Sequence, residues 1–280
     1  MDLLSTLPEE CLSEILQRTS PADASRFATV SKGSKSAADS DAVWVRFLPE
    51  DLPEIISRSV SPVVYANNKE LYFSLCNSPI LLDAGKLSFS VKLRNGKKCY
   101  MVGARELVII WCRDIPQYWK LTSHPDSRGT INTRMLSSDT VYGCYLVFKL
   151  GRNPYGLQSA NAFVRFTNDE VDGDDERAAI LGHFARENDR DRHSRTGEAP
   201  VRIGDGLTEI AKVHLQRPDG FEQIGRVSVG RGDGWMEVEL GSFYNDRGDD
   251  GVVETMLLGR EGYQGKSGLI VQGIEFRPKS

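Results

Sequence analysis

Histidine is scarce in this chain, four among 280 residues, and none of His124, His183, His193 and His214 stands four residues from another or beside a cysteine pair. A zinc site would have to be assembled from distant loops, so surface or loop positions are the simpler reading. Cysteines number five, an odd count, at Cys11, Cys76, Cys99, Cys112 and Cys144, without C-x-x-C spacing. They read as reduced, mostly buried thiols and not as a disulfide frame. Long hydrophobic runs are missing as well. The longest, Leu107 to Cys112 and Val141 to Phe148, are strand-sized and too short to span a bilayer. The opening Met1-Asp2-Leu3-Leu4-Ser5 has no basic segment, and Glu9 and Glu10 interrupt its apolar residues too early for a secretory signal. We expect a chain of the cytoplasm and/or nucleus, with no membrane partner.

Positive charge is not in surplus either. A formal net charge of −4 and a pI near 5.7 remove the electrostatic case for sequence-independent nucleic-acid binding. Catalytic signatures are equally thin. Val229-Gly230-Arg231-Gly232-Asp233-Gly234 is glycine-rich, yet it lacks phosphate-loop spacing and precedes a strand pattern, so it reads as a turn. Asp249 and Asp250 are neighbours whose carboxylates diverge and cannot flank one glycosidic bond. No Ser-His-Asp or Cys-His arrangement has a nucleophile-elbow context. These absences argue for a non-enzyme with no catalytic residues, metal or cofactor. With 40% apolar and 26% charged residues, the chain has the composition of a globular protein of one or two domains.

What is present is concentrated first at the amino end. Pro8 suits a first helical position, where its missing N–H costs nothing, and Glu9 and Glu10 place negative charge at the positive end of the helix dipole. Leu12, Ile15 and Leu16 follow as one stripe. Ser20 can cap a second helix with Pro21 at its first position and Asp23 in its first turn. Phe27, Ala28 and Val30 continue the apolar side, and Ser40-Asp41 offers a third start that places Trp44 and Phe47 one turn apart. So many apolar positions in so short a segment need a partner. That partner is either another protein or the rest of this chain.

Leu7-Pro8, Ile15-Leu16, Val30 and Trp44 in this order resemble an F-box. The resemblance implies docking onto the Skp-type adaptor of a cullin–RING ubiquitin ligase, helix in groove, through Leu7, Pro8, Leu12, Ile15, Leu16 and Val30.

Residues 49–85 read as a packed, partly helical connector. Pro49, Pro53, Pro62 and Pro79 punctuate it, and Leu71 to Leu75 is a short apolar helix candidate. From Leu87 the period becomes two. Leu87 to Leu93 alternates, Asn95-Gly96 is a two-residue hairpin signal, and Cys99 to Val102 returns. Further strands are predicted over 107–111, 131–136, 141–150, 162–166, 210–216, 235–240, 252–258 and 269–276. Turn clusters separate them, which points to an antiparallel β-sandwich. The mixed-charge stretch 168–200 reads as a solvated insertion. The fold class is therefore α+β: a helical module over 1–48, the connector over 49–85, and a sandwich over 86–280.

The second module resembles the phloem protein 2, or Nictaba-like, lectins. The resemblance rests on Gly103-Ala104-Arg105-Glu106-Leu107 with Ile110-Trp111, Tyr118-Trp119-Lys120, Ile131-Asn132-Thr133, the run from Tyr142 to Leu150, and the blocks from Asp233 to Phe243 and Lys266 to Pro278. With the F-box, the whole chain resembles plant F-box proteins of the PP2-B type. This implies a jelly-roll-like sandwich that binds N-acetylglucosamine-containing glycans, with Trp111 and Trp119 as the aromatic pair against which a sugar stacks. Both tryptophans have a core-packing alternative, the stronger for Trp111. Trp235 could hold a sugar beside Glu237 and Glu239, or fix the sandwich edge. Two departures from the family pattern stand out. The stretch Leu121 to Thr130 omits a strand that members carry, and Val252 and Gly259 stand where sugar-binding relatives place acids.

Two functions follow as expectations. One is a substrate receptor of a Skp–cullin–F-box ligase whose sandwich selects a protein or glycoprotein target. The other is a cytosolic or nuclear lectin acting without the ligase. A third, raised by the omitted strand, is an impaired receptor that merely occupies the adaptor.

Overall fold

In the computed structural model the described residues are 7–107, 129–155, 157, 160–167, 201–203, 206–216, 225–259 and 267–279. The chain divides into two compact units, 1–101 and 102–280. Trp111 and Trp119, most of the omitted-strand region and the 168–200 insertion lie outside the described residues, as do His124, His183, His193 and Cys112.

The first unit begins with α1 (Glu9–Leu16), α2 (Pro21–Phe27), α3 (Lys32–Asp39) and α4 (Asp41–Trp44), followed by a 3-10 turn at Val45–Phe47. Pro8 occupies the cap position before α1, one residue earlier than expected. Ser20 caps α2 as predicted, accepting from Asp23 N–H at 3.1 Å. α3 carries no apolar run and was not predicted. Its sequence, KGSKSAAD, is held by the Ser31 cap and by burial of Ala37 and Ala38. Ser13 Oγ donates to the Ala37 carbonyl and Ser36 Oγ to the Glu9 carboxylate at 2.7 Å, so α1 and α3 are stitched side by side.

Trp44 is the centre of this unit. Fully buried, it donates Nε1–H to the Ala38 carbonyl at 2.6 Å. Phe47, Tyr72 and Phe73 surround its ring at 5.2–5.6 Å. The latter two come from α6 (Asn68–Asn77), which follows α5 (Leu52–Ser57). β1 (Ile80–Leu82) then pairs antiparallel with β2 (Leu87–Val91), and β2 turns into β3 (Lys98–Gly103). The turn has four residues, Leu93 to Gly96, because Lys92 N–H donates to the Lys97 carbonyl. The Asn-Gly pair is thus its second half and not a two-residue loop. Gly96 sits at φ 69° with its Cα against the Phe47 carbonyl, where a Cβ would come within 2.2 Å.

The first compact unit runs to Met101, and within it α6 holds the hairpin. Tyr72 Oη donates to the carbonyls of Lys92 and Leu93, and Lys98 Nζ reaches Asp51 at 2.9 Å. Between β1 and β2 the chain makes a left-handed turn, Asp83, Ala84 and Gly85 at φ 50°, 57° and 84°. Arg58 clamps it by binding both oxygens of Asp83. That ion pair pulls the Asp83 carboxyl below its ordinary range.

The second unit is an antiparallel sandwich. Its first sheet runs in the order β13 (Ser267–Pro278), β5 (Thr140–Tyr155), β11 (Met236–Asn245), β10 (Val229–Gly230). Its second runs β4 (Gly129–Asn132), β12 (Val252–Gly259), β6 (Ala160–Thr167), β8 (Gly206–His214), β7 (Val201–Ile203). β9 (Arg226–Val227) lies parallel beside β8. The sheets meet through aromatic side chains: Phe243 of β11 stacks on Tyr142 at 5.9 Å and meets Phe166 of β6 edge-on at 5.7 Å. Of the predicted strand 131–136 only the first two residues are strand. Residues Thr133–Met135 form a 3-10 turn in which Asn132 Oδ1 accepts from Arg134 N–H.

Candidate interaction surfaces

The six residues expected to dock an adaptor divide into two sets. Leu12 and Leu16 point into the helical unit and are buried in its core. Leu7, Pro8, Ile15 and Val30 remain on the surface, Ile15 at 50% and Val30 at 58% exposure. The division follows from helix geometry. Leu12 and Leu16 are one turn apart and face the α3 and α4 side, whereas Ile15 is rotated by about 100° from Leu16 and looks outward. Val30 ends the turn after α2, where its N–H donates to the Phe27 carbonyl. Ile15 and Val30 thus offer apolar surface on the outside of the unit.

The outward face of the first sheet carries a different chemistry. Strand alternation places Tyr145 of β5 directly between Glu239 of β11 and Glu275 of β13. Arg277 lies across the Tyr145 ring, 3.7 Å from its centroid, and binds both oxygens of Glu237. Arg231 bridges Glu237 and Glu275, and Lys279 holds Glu239. The Arg277 guanidinium hydrogen-bonded to Glu237 holds that carboxyl below its ordinary value, against the burial that would raise it. Burial, followed by the Glu239 charge, pushes the Tyr145 hydroxyl up. Gly143 makes room for this packing, since a Cβ there would sit 2.6 Å from the Tyr145 ring and displace it.

This network closes the sheet face and leaves these carboxylates engaged by cations. Trp235 is engaged too, with Lys149 Nζ 4.3 Å from its ring centroid. One face of its indole is therefore occupied by a cation. The departures at β12 are also in place: Val252 and Gly259 pair with Thr167 and Ala160, at the two ends of the β12–β6 ladder. Neither carries a side-chain acceptor for a sugar hydroxyl.

Sequence reasoning missed the network although its signal is visible in hindsight. Glu237 and Glu239, and Glu275 and Arg277, are spaced by two residues, which puts each pair on one strand face. It also missed Arg165 and Glu254, register partners on β6 and β12 whose side chains are 5% and 1% exposed.

A helical module with exposed apolar side chains, followed along the chain by an antiparallel sandwich, fits an adaptor class of protein. The F-box family model matches residues 4–46 and the phloem protein 2 model matches residues 126–278. The F-box protein PP2-B10 of Arabidopsis thaliana is 37% identical over 291 residues, covering 98% of this chain and 93% of the relative. The F-box proteins PP2-B15 and VBF of the same plant are 35% and 34% identical, covering 98% of this chain and 96% and 99% of the relatives. This chain belongs to the family of F-box proteins that carry a phloem protein 2 domain. Members of such families are generally adaptor-type and non-catalytic, and the F-box implies a Skp-type adaptor as partner.

Proposed function

We propose that this protein is the substrate-recognition subunit of a Skp–cullin–F-box ubiquitin ligase, working in the cytoplasm or nucleus without catalytic residues of its own. Leu7, Pro8, Ile15 and Val30 enter the adaptor's groove, while Leu12 and Leu16 hold α1 in the shape that presents them. The carrying observation is the exposure of Ile15 and Val30 beside a core that buries Leu12 and Leu16. Burying the exposed half of each such side chain contributes about 1 kcal/mol. The sandwich presents a protein or glycoprotein target to the ligase. Where that target carries a glycan, Trp111 and Trp119 stack against its sugar.

Co-purification of the full chain with a recombinant Skp-type adaptor tests the reading. Ile15→Ala/Val30→Ala weakens capture about tenfold or more, with unchanged helical circular dichroism. A chain that stays soluble and monomeric and ignores the adaptor would refute it. The lectin reading then takes over if a glycan array retains the protein and Trp119→Ala abolishes retention. Rapid proteolysis of the second unit beside a protected first would favour the impaired receptor.

A further inference from the structure

Charge in the first unit is segregated along the chain. Every Asp and Glu of residues 1–101 lies at or before Asp83, and the remainder, 84–101, holds Lys86, Lys92, Arg94, Lys97 and Lys98 with no acid at all. A basic hairpin in a chain of net charge −4 is a local feature and not a consequence of composition. Strand alternation sorts these cations. Lys98 turns inward and is neutralised by Asp51. Lys92 and Lys97 face each other on the opposite side of the ladder, and Arg94 stands exposed in the turn. Lys92 and Arg94 form no ion pair among the described residues. Between them Leu93 is 55% exposed, an apolar tip flanked by positive charge.

The tip is also rigid. Gly96 is seated on the Phe47 carbonyl, Tyr72 Oη ties the Lys92 and Leu93 carbonyls, and Asn95 Oδ1 accepts from Lys97 N–H. A surface turn that displayed these side chains only for solubility would not need three separate anchors. Preorganised anchors lower the ordering cost of a docking surface.

We infer that the β2–β3 tip, Lys92, Leu93, Arg94 and Lys97, docks an acidic segment of the target protein, one that also offers an apolar side chain to Leu93. The inference rests on the receptor reading above and gives the target a chemistry. Two observations choose the occupant. The tip sets cations around an exposed leucine, which is complementary in charge and polarity to an acidic stretch that also carries an apolar side chain. And an apolar tip among the cations suits a peptide side chain better than a nucleic-acid phosphate, which the overall negative charge repels.

The test uses the full chain bound to its adaptor and four probes: a fluorescent dodecapeptide rich in Asp and Glu with a central Leu, its Asn/Gln isostere, a short DNA duplex, and inorganic phosphate as competitor. The acidic peptide is expected to bind, to weaken as salt rises, and to lose about tenfold or more in affinity in Lys92→Glu/Arg94→Glu/Lys97→Glu. Leu93→Ser loses about threefold. Arg247→Glu, an exposed charge reversal elsewhere, has no effect, and adaptor capture is unchanged throughout. Equal binding of the isostere, equal binding of the duplex, displacement by phosphate alone, or indifference to the triple reversal overturns the inference. Release of the adaptor by the triple reversal overturns the assignment to a target. Failure of the Ile15/Val30 variants to release the adaptor strikes the receptor reading and leaves the peptide measurement standing.

Discussion

Removing Glu254 should do more damage than any other single carboxylate in the second unit. Arg165 and Glu254 stand opposite each other on β6 and β12, and Nε and Nη2 both converge on Oε2 at 2.8 and 2.6 Å. Oε1 is equally buried and accepts no hydrogen bond among the described residues. By alternation from Phe166, which faces Phe243 of the other sheet, the pair lies on the far side of its own sheet, with the Phe163 ring 6.0 Å from the guanidinium. An incompletely satisfied ion pair taken out of water is close to break-even as a pair but severe to break. Glu254→Ala takes the opposing carboxylate from a buried guanidinium and should cost about 3–5 kcal/mol, a large part of a domain stability of about 5–15 kcal/mol. Arg165→Met/Glu254→Met removes both charges at similar volume and should return to within about 1 kcal/mol of the parent or exceed it. Urea titration read by hydrogen exchange of β6 and β12 peptides isolates this unit from the helical one. A Glu254→Ala variant within about 1 kcal/mol of the parent, or a double variant that loses the sum of the singles, would refute the reasoning.

Three further outcomes are expected. Ala84→Gly should stabilise the first unit by up to about 1 kcal/mol, because Ala84 at φ 57° carries the left-handed penalty that glycine escapes, less the unfolded-state entropy that glycine adds; a lower melting temperature would contradict this. Glu237, held below its ordinary 4.5 chiefly by its hydrogen bond to Arg277, stabilises the folded second unit fully above pH 4.5 and loses that contribution as pH falls through the lowered native value. Glu237→Gln should flatten this acid limb, and an unchanged acid titration of stability would count against the network. Burial pushes the Cys76 thiol up to about 11, so alkylation at pH 8 should modify exposed Cys11 first, with Cys76 rising about tenfold per pH unit up to pH 10. Equal rates at pH 8 would show that α6 does not shelter Cys76.

The elements legible in the sequence were those whose pattern matched their period. Strand β2, the long run of β5, and the ladders of β11, β12 and β13 announce themselves by alternation or continuous apolar character, and Ser20 caps α2 where its spacing to Asp23 says it should. What was missed had no local signal. α3 holds a glycine, two serines and two lysines, and is helical because tertiary burial of its two alanines against α1 outweighs its weak propensity. α5, with Pro53 in its first turn, read as punctuation because its six residues are too few to show a period. β9 and β10 are two residues each and exist only because a neighbouring strand supplies their hydrogen bonds.

The same logic explains why surfaces were harder to read than cores. A helix stripe says which residues are apolar but not how wide the buried sector is, so Leu12, Ile15 and Leu16 looked equivalent until the position of α3 separated them. Charges behave likewise. Glu237 and Arg277 are 40 residues apart, and only the ordering of β11, β5 and β13 brings them to one face. Lys98 and Lys97 are neighbours, yet one pairs with Asp51 inside the unit while the other stands beside the turn, because the strand period sends them to opposite sides. A cation's role in this protein is therefore set by parity along its strand, and shifting the turn tests that directly. Inserting one residue between Arg94 and Asn95 should keep the composition of the tip but break the Lys92–Lys97 pairing or pull Gly96 off the Phe47 carbonyl, and so abolish acidic-peptide binding without altering net charge. Retained binding in that insertion variant would mean that charge alone, and not its placement by the hairpin, attracts the partner.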